Sequence, residues 1–391
     1  MNFRQACWKR SIEAIMIAPF VFFGKCAGFF MPCPSTSRFF LFFPSADLGG
    51  APKVNADLLQ ILKAENPLVI FSKKAKNNGF RDLFHLPGVH VLDLSKGIDS
   101  KWIYFVNIIY RGILSSWINR TPNAVIVGGE CMYFYKIVQH VKKGTRVIEV
   151  SHLNTWLNFN QAYIPFIDYR MVSTPKLKRY MLEQYQRNQV PEHYATRIRF
   201  VDNWVPVPEW KEKTHSGFTV LFVGRGAPQK RVHLISAIAE HFLNDPEVSF
   251  TFVGDVQHII SPAVEQKARL FESVQDANQL NALYDSADVL ILTSAYEGLP
   301  IVVMDMMARG KVVLSTAVDG IPDYIEHQKN GILIHELQQE EKIIAEGVHW
   351  IQYLKQNPLV CEHLGQQARA LAIERFSKEV FDKGYRCVLG V

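Results

Sequence analysis

Phe218-Thr219-Val220-Leu221-Phe222-Val223-Gly224-Arg225-Gly226-Ala227-Pro228-Gln229-Lys230-Arg231 is the stretch that decides the fold. A short apolar run with the length of a buried strand stops at glycine and feeds a helix. That passage leaves backbone N–H groups unpaired at the helix start, where they and the helix dipole favour an anion. Arg225 and Lys230 add fixed positive charge beside it. A second strand, Val289–Leu292, precedes Ser294-Ala295-Tyr296-Glu297-Gly298-Leu299-Pro300 and a short helix carrying Asp305. Pro300 suits the first turn of that helix, where its missing N–H costs nothing. Glu297 is then expected on the preceding loop and Asp305 on the second helical turn, both facing one cleft as acceptors for a ring of hydroxyls.

Outward from these loops, the chain reads as α/β. Its 391 residues exceed what one core usually supports. With 48% hydrophobic and 20% charged residues, it is globular rather than disordered. In the first half, Phe39–Phe43, Leu68–Phe71 and segments 89–92, 124–127, 147–150 and 171–173 are short apolar strands separated by helical stretches. The first of them ends at Pro44-Ser45-Ala46-Asp47-Leu48-Gly49-Gly50-Ala51, before a helix expected over about 53–64. Adjacent Gly49 and Gly50 let a ligand approach the backbone closely. His152 follows the 147–150 strand, at the carboxyl end where ligands bind in such sheets.

At these residues the chain resembles the retaining family-4 glycosyltransferases of the GT-B fold. Gly224-Arg225 with Lys230 is similar to that family's diphosphate clamp, and Glu297 through Asp305 to its Glu, seven residues, Glu motif. Val318-Asp319-Gly320-Ile321-Pro322-Asp323 is similar to its next phosphate-facing turn. Two positions depart from the pattern: Asp305 stands where Glu is usual, and Asp319-Gly320 where Gly-Gly is usual.

The resemblance implies two Rossmann-like doubly wound domains facing each other across a cleft. It also implies transfer of a sugar from a nucleoside-diphosphate sugar to a glycan or lipid-linked acceptor with retention at the anomeric carbon. Catalysis would rest on Glu297, His152, Arg225 and Lys230. Donor contacts would come from Gly49, Gly50, Gly224, Arg225, Lys230, Glu297, Gly298, Leu299, Pro300, Asp305 and Gly320. His152 would contact the sugar, Asp305 the ribose, and Asn203 would close the first domain. A sugar-nucleotide epimerase, a phosphorylase and a non-catalytic nucleotide-sugar-binding subunit are the competing readings.

The expected division is an N-terminal segment 1–38, a first domain 39–206, a proline- and charge-rich linker 207–217, a second domain 218–375, and a final helix 376–391 crossing back to the first. The first segment carries five cations against one carboxylate, +4 of the chain's formal +6. Trp8, Ile12, Ile15, Met16 and Phe23 fall on one helical face, with Lys9, Arg10 and Glu13 largely opposite. The charge-free run 14–24 is too short to span a bilayer, and Pro19 is expected to interrupt a helix through it. The segment therefore reads as an interfacial amphipathic helix, with a helix packed on its own domain and a signal peptide as alternatives.

The aromatic stretch 102–118 reads as core. Lys136, His140, Lys142, Lys143 and Arg146 read as a solvated basic face. Six scattered cysteines without Cys-x-x-Cys spacing suggest a reducing cytoplasm, peripheral to the inner face of the membrane. No metal site or cofactor is expected. The modest net charge and lack of a recognisable module exclude nucleic acid as the expected partner.

Overall fold

The computed structural model describes residues 1–391 except 100–103, 153–156, 211–215, 273 and 275. Trp102 and residues 211–215 of the expected linker therefore lie outside the described residues. The chain divides into two compact units, Met1–Val201 with Asp382–Val391, and Asp202–Phe381. The helix Lys378–Leu389 carries the chain from the second unit back to the first.

The first unit is built on seven parallel strands: β1 (Phe39–Phe43), β2 (Leu68–Phe71), β3 (His90–Asp93), β4 (Val125–Gly128), β5 (Arg146–Ser151), β6 (Tyr169–Val172) and β7 (Ile198–Phe200), in the order 3-2-1-4-5-6-7. β1, β2 and β4 are buried along their whole length, as expected of strands covered on both faces. β7, an edge strand of three residues, lacks the continuous apolar run that marks the others.

The second unit repeats the plan with six parallel strands: β8 (Phe218–Val223), β9 (Val248–Val253), β10 (Arg269–Phe271), β11 (Val289–Leu292), β12 (Val312–Thr316) and β13 (Ile332–Ile334), in the order 10-9-8-11-12-13. Each sheet thus reverses direction beside its first strand, between β1 and β4 and between β8 and β11. Chain order makes these the crevices where an open parallel sheet binds ligands.

The N-terminal segment departs from expectation. One helix runs from Phe3 to Phe30, through Pro19, and is long and apolar enough to cross a bilayer by length and composition. Proline removes one backbone hydrogen bond but cannot break a helix whose neighbouring turns are held by packing on both sides of it. Ile17, Val21, Gly24 and Gly28 are buried. They lie along a second helix, Tyr104–Arg120. The aromatic stretch is core only in part: Trp117 is buried and Tyr110 half-buried, while Phe105 is exposed. The expected basic face is only partly solvated. Lys136 is turned under the first helix, where its ammonium donates to Glu13 at 2.5 and 2.6 Å. His140 is also partly covered, while Lys142, Lys143 and Arg146 remain exposed.

Candidate functional site

In the second unit, the loops after β8 and β11 meet at the switch point and are tied together by side chains that the sequence did not single out. Arg231 sits in the left-handed region at φ 46°, just before the helix Val232–Glu240. Its guanidinium donates to the carbonyls of Thr293 (2.6 Å), Ser294 (3.1 Å) and Leu337 (2.9 Å). Thr293 Oγ1 donates back to the carbonyls of Lys230 and Arg231. Gln229 contributes two more ties, its carbonyl accepting from Ala295 N–H and its side chain donating to the Tyr296 carbonyl. A bulky residue in this backbone region is strained by roughly 1–2 kcal/mol, a cost these bonds offset.

Glycine is required where this loop meets the one after β9. A Cβ on Gly226 would lie 1.9 Å from the Asp255 carbonyl oxygen, and one on Gly254, at φ +133°, 1.9 Å from that of Gly224.

This bracing places Lys230 against Glu297, ammonium to carboxylate, with both side chains largely buried. The Glu297 N–H donates to Asp319 Oδ2 at 2.8 Å, and its carbonyl receives a long bond from Gly320 N–H at 3.5 Å. Asp319 adopts φ 45°, which aspartate tolerates better than most residues. The Asp-Gly turn thus serves a positive purpose here: its carboxylate holds the Glu297 backbone. Arg225 is exposed on the same loop as Lys230.

Pro300 caps the helix Ile301–Ala308 from just outside it rather than lying in its first turn. Asp305 does fall on the second turn, but its carboxylate is turned to Arg309, Oδ1 to Nη1 at 3.2 Å. Arg309 also reaches Asp285 at 3.2 Å and Asn281 at 2.6 Å, and lies over the Tyr284 ring. Lys230, Glu297, Asp319 and Gly320 are therefore one cluster, and Asp305 belongs to another centred on Arg309. Gly298 is half-buried and Leu299 buried between them in the chain. Gly224 donates its N–H to the Val253 carbonyl at 2.9 Å.

In the first unit, the helix after β1 spans Gly50–Leu62, so Gly50 is its first residue and Gly49 its cap. The loop is braced by Asp47, whose Oδ1 accepts from the N–H groups of Lys76, Asn77 and Asn78 at 2.8, 2.9 and 3.2 Å. Burial works to raise this carboxyl, but those bonds and one from Ser45 hold it below the usual range.

His152 follows β5 and its N–H donates to Glu130 Oε1 at 2.7 Å. Burial pulls its imidazole pKa down, with Glu130 opposing in part, and its Nε2 has no hydrogen-bond partner among the described residues. Two residues before Ser151, Glu149 forms a fully buried pair with Arg170, joined by Tyr135, Asn160 and Tyr185. Neither Glu149 nor Arg170 stood out in sequence, since each is flanked by apolar or aromatic strand residues and its partner is 21 positions away. Among the described residues, no group of three or more His, Cys, Asp or Glu is placed to hold a metal ion.

The fold these elements define is GT-B, two Rossmann-like parallel-sheet domains in one chain. Residues 208–370 match the family described as Glycosyl transferases group 1. An uncharacterized glycosyltransferase of Methanocaldococcus jannaschii is 29% identical over 136 residues, covering 33% of this chain and 34% of that protein. The alpha-maltose-1-phosphate synthase of Mycolicibacterium smegmatis is 30% identical over 172 residues, 40% of this chain and 44% of that one. The match thus spans less than half the length of these curated relatives. The Anabaena protein HepE, solved in complex with UDP, superposes with a TM-score of 0.72 at 14% identity, covering 90% of this chain and 99% of that one.

Proposed function

We propose that this protein is a family-4 type glycosyltransferase. It moves a sugar from a nucleoside-diphosphate sugar to a glycan or lipid-linked acceptor and retains the anomeric configuration. The observation that carries this reading is the Lys230–Glu297 pair, held at the β8/β11 switch point by Arg231 and Asp319. Support comes from the group 1 match over the same region and from the UDP and UDP-glucose complexes of the Anabaena protein.

In this reading Arg225 and Lys230 take the donor diphosphate, together with backbone amides near Gly224 and Gly320 and, from the first unit, near Gly49 and Gly50. Glu297, with Gly298, Leu299 and Pro300 setting its loop, takes the transferred sugar. Asp305, oriented by Arg309, takes the ribose, its reach shorter by one methylene than glutamate's.

His152 contacts the sugar as a neutral imidazole, since burial disfavours its protonated form. The bond between the anomeric carbon and the diphosphate oxygen breaks as the acceptor oxygen bonds to the same face, and the acceptor's proton passes to the leaving phosphate. Charge on that phosphate is neutralised by the two cations, so no metal or organic cofactor is invoked.

We place the protein in the cytoplasm, peripheral on the inner face of the membrane, where a lipid-linked acceptor is held. The apolar Phe3–Phe30 helix supports that position. The test is incubation of the protein with radiolabelled UDP-, GDP- and ADP-sugars. Release or transfer of sugar from at least one donor, lost in Lys230→Ala, is expected; a protein inert to every donor contradicts the proposal.

A further inference from the structure

The Phe3–Phe30 helix is fixed to the first unit along its whole inner face. A Cβ on Gly24 would lie 2.2 Å from the Ile109 carbonyl oxygen, and one on Gly112 2.2 Å from that of Val21, so the two helices touch backbone to backbone. At its start, Phe3 N–H donates to the Asn188 carbonyl at 2.9 Å and Gln161 donates to that of Met1 at 3.2 Å. At its end, Arg120 donates to the carbonyls of Gly28 (2.8 Å) and Phe29 (3.0 Å). Trp117 Nε1 donates to the Met31 carbonyl at 3.1 Å. In the middle, Glu13 is paired with Lys136 at 2.5 Å and lies 3.7 Å from Arg111. A helix bonded to its domain at both ends cannot stand across a bilayer without losing these contacts.

Its outer face is the reverse. Trp8, Ile15, Met16, Phe22, Phe23 and Phe30 are exposed, Ile15 by 73% and Phe30 by 84%. Phe105 of the neighbouring helix, itself 60% exposed, packs on Phe20 with ring centroids 5.2 Å apart and widens the patch. The helix is about 42 Å long at 1.5 Å per residue, and an apolar strip of that extent marks an interaction surface.

Charge selects the occupant. Arg4 and Lys9 are exposed and Lys25 partly so, while the one carboxylate of residues 1–38, Glu13, is turned inward. A second copy on this face would set cation against cation. An anionic lipid surface accepts aromatic side chains at its headgroup boundary and cations at its phosphates.

We propose that the outer face of the Phe3–Phe30 helix lies in the plane of an anionic bilayer, with Trp8 and the phenylalanines at the headgroup boundary and Arg4, Lys9 and Lys25 on lipid phosphates. The claim deepens the peripheral placement and rests on it, but not on the transfer chemistry. Because the helix is joined to the first unit through its backbone, membrane contact fixes that unit's orientation to the lipid.

The test is co-sedimentation of the full chain with phosphatidylcholine vesicles, with and without phosphatidylglycerol, at low and high salt. Wild type is expected to sediment with the anionic vesicles and to be released by salt. Phe22→Ser/Phe23→Ser/Phe30→Ser alters only exposed side chains and should lower partitioning roughly tenfold or more, with an unchanged circular dichroism spectrum and unchanged thermal response to UDP, GDP and ADP. Lys9→Ala/Lys25→Ala should weaken binding at low salt alone. Undiminished sedimentation of the serine variant, or equal binding to neutral vesicles, overturns the proposed face. A dimer in light scattering that the serine substitutions abolish overturns it in favour of self-association. Wild type that sediments with neither vesicle overturns the peripheral placement as well.

Discussion

The two sheets share one strand order, yet the loops at their switch points are built differently. After β8 and β11, side-chain charges meet directly: Lys230 on Glu297, Asp319 on the Glu297 backbone, and Arg231 across three carbonyls. After β1 and β4, charge is spent on backbone. Asp47 gathers three N–H groups and Glu130 one. The loops of the second unit present paired side-chain charges; those of the first present braced backbone. The same topology therefore carries two tasks, and charge substitutions in the two units should have different consequences.

The largest expected effect is in the first unit and concerns folding. Glu149→Ala leaves Arg170 buried and unpaired and should lower stability by about 3–5 kcal/mol, read by chemical denaturation, while any folded fraction still binds nucleotide. Loss of nucleotide affinity without loss of stability would break the comparison. In the second unit the order reverses. Arg225→Ala, at an exposed side chain, should cut turnover about 10²-fold or more with little change in melting temperature. Lys230→Ala should cut it as much and also lower stability, because Glu297 is left buried and unpaired. Wild-type rates in both variants would remove the electrostatic role.

A smaller effect sharpens the role of the Asp-Gly turn. Asp319→Ala removes the acceptor for the Glu297 N–H and should cost about 1 kcal/mol, appearing mainly in kcat. Asp319→Asn keeps an acceptor oxygen and should recover most of it. If the two variants are equally impaired, the carboxylate charge rather than the hydrogen bond is what matters there.

The smallest effect is a pH dependence confined to the first unit. Burial, with Arg111 and Lys25 adding to it, lowers the His140 pKa to about 4. Below its unfolded pKa the unfolded chain binds the extra proton, so stability falls as pH drops. Between about pH 7 and about pH 5.5 this should remove about 1 kcal/mol. His140→Gln should flatten the slope; an unaltered slope would assign it to other groups.

Much of this was legible because each signal is local. Val223-Gly224 and Glu297-Gly298-Leu299-Pro300 state strand end, turn and helix start in consecutive residues, and the apolar runs of β1, β2, β8 and β11 locate the buried strands. What escaped depends on contacts distant in sequence. Nothing near Arg231 announces that its guanidinium reaches Leu337, 106 residues away. The turn of Asp305 toward Arg309 is set by a neighbouring helix that offers Asp285 and Asn281. Pro19 does not interrupt the first helix because packing on either side of it overrides local propensity. β7 and β10 escaped as edge strands of three residues each.

The central claim, that the braced loops after β8 and β11 grip a nucleoside diphosphate through Lys230, is tested most directly by thermal shift. Wild type and Lys230→Ala are titrated in parallel with UDP, GDP and ADP, since a ligand raises the melting temperature according to its affinity. A clear rise for wild type with at least one nucleotide, requiring roughly tenfold more of it in Lys230→Ala, is the predicted result. No shift with any of the three, or identical curves for both proteins, would contradict it.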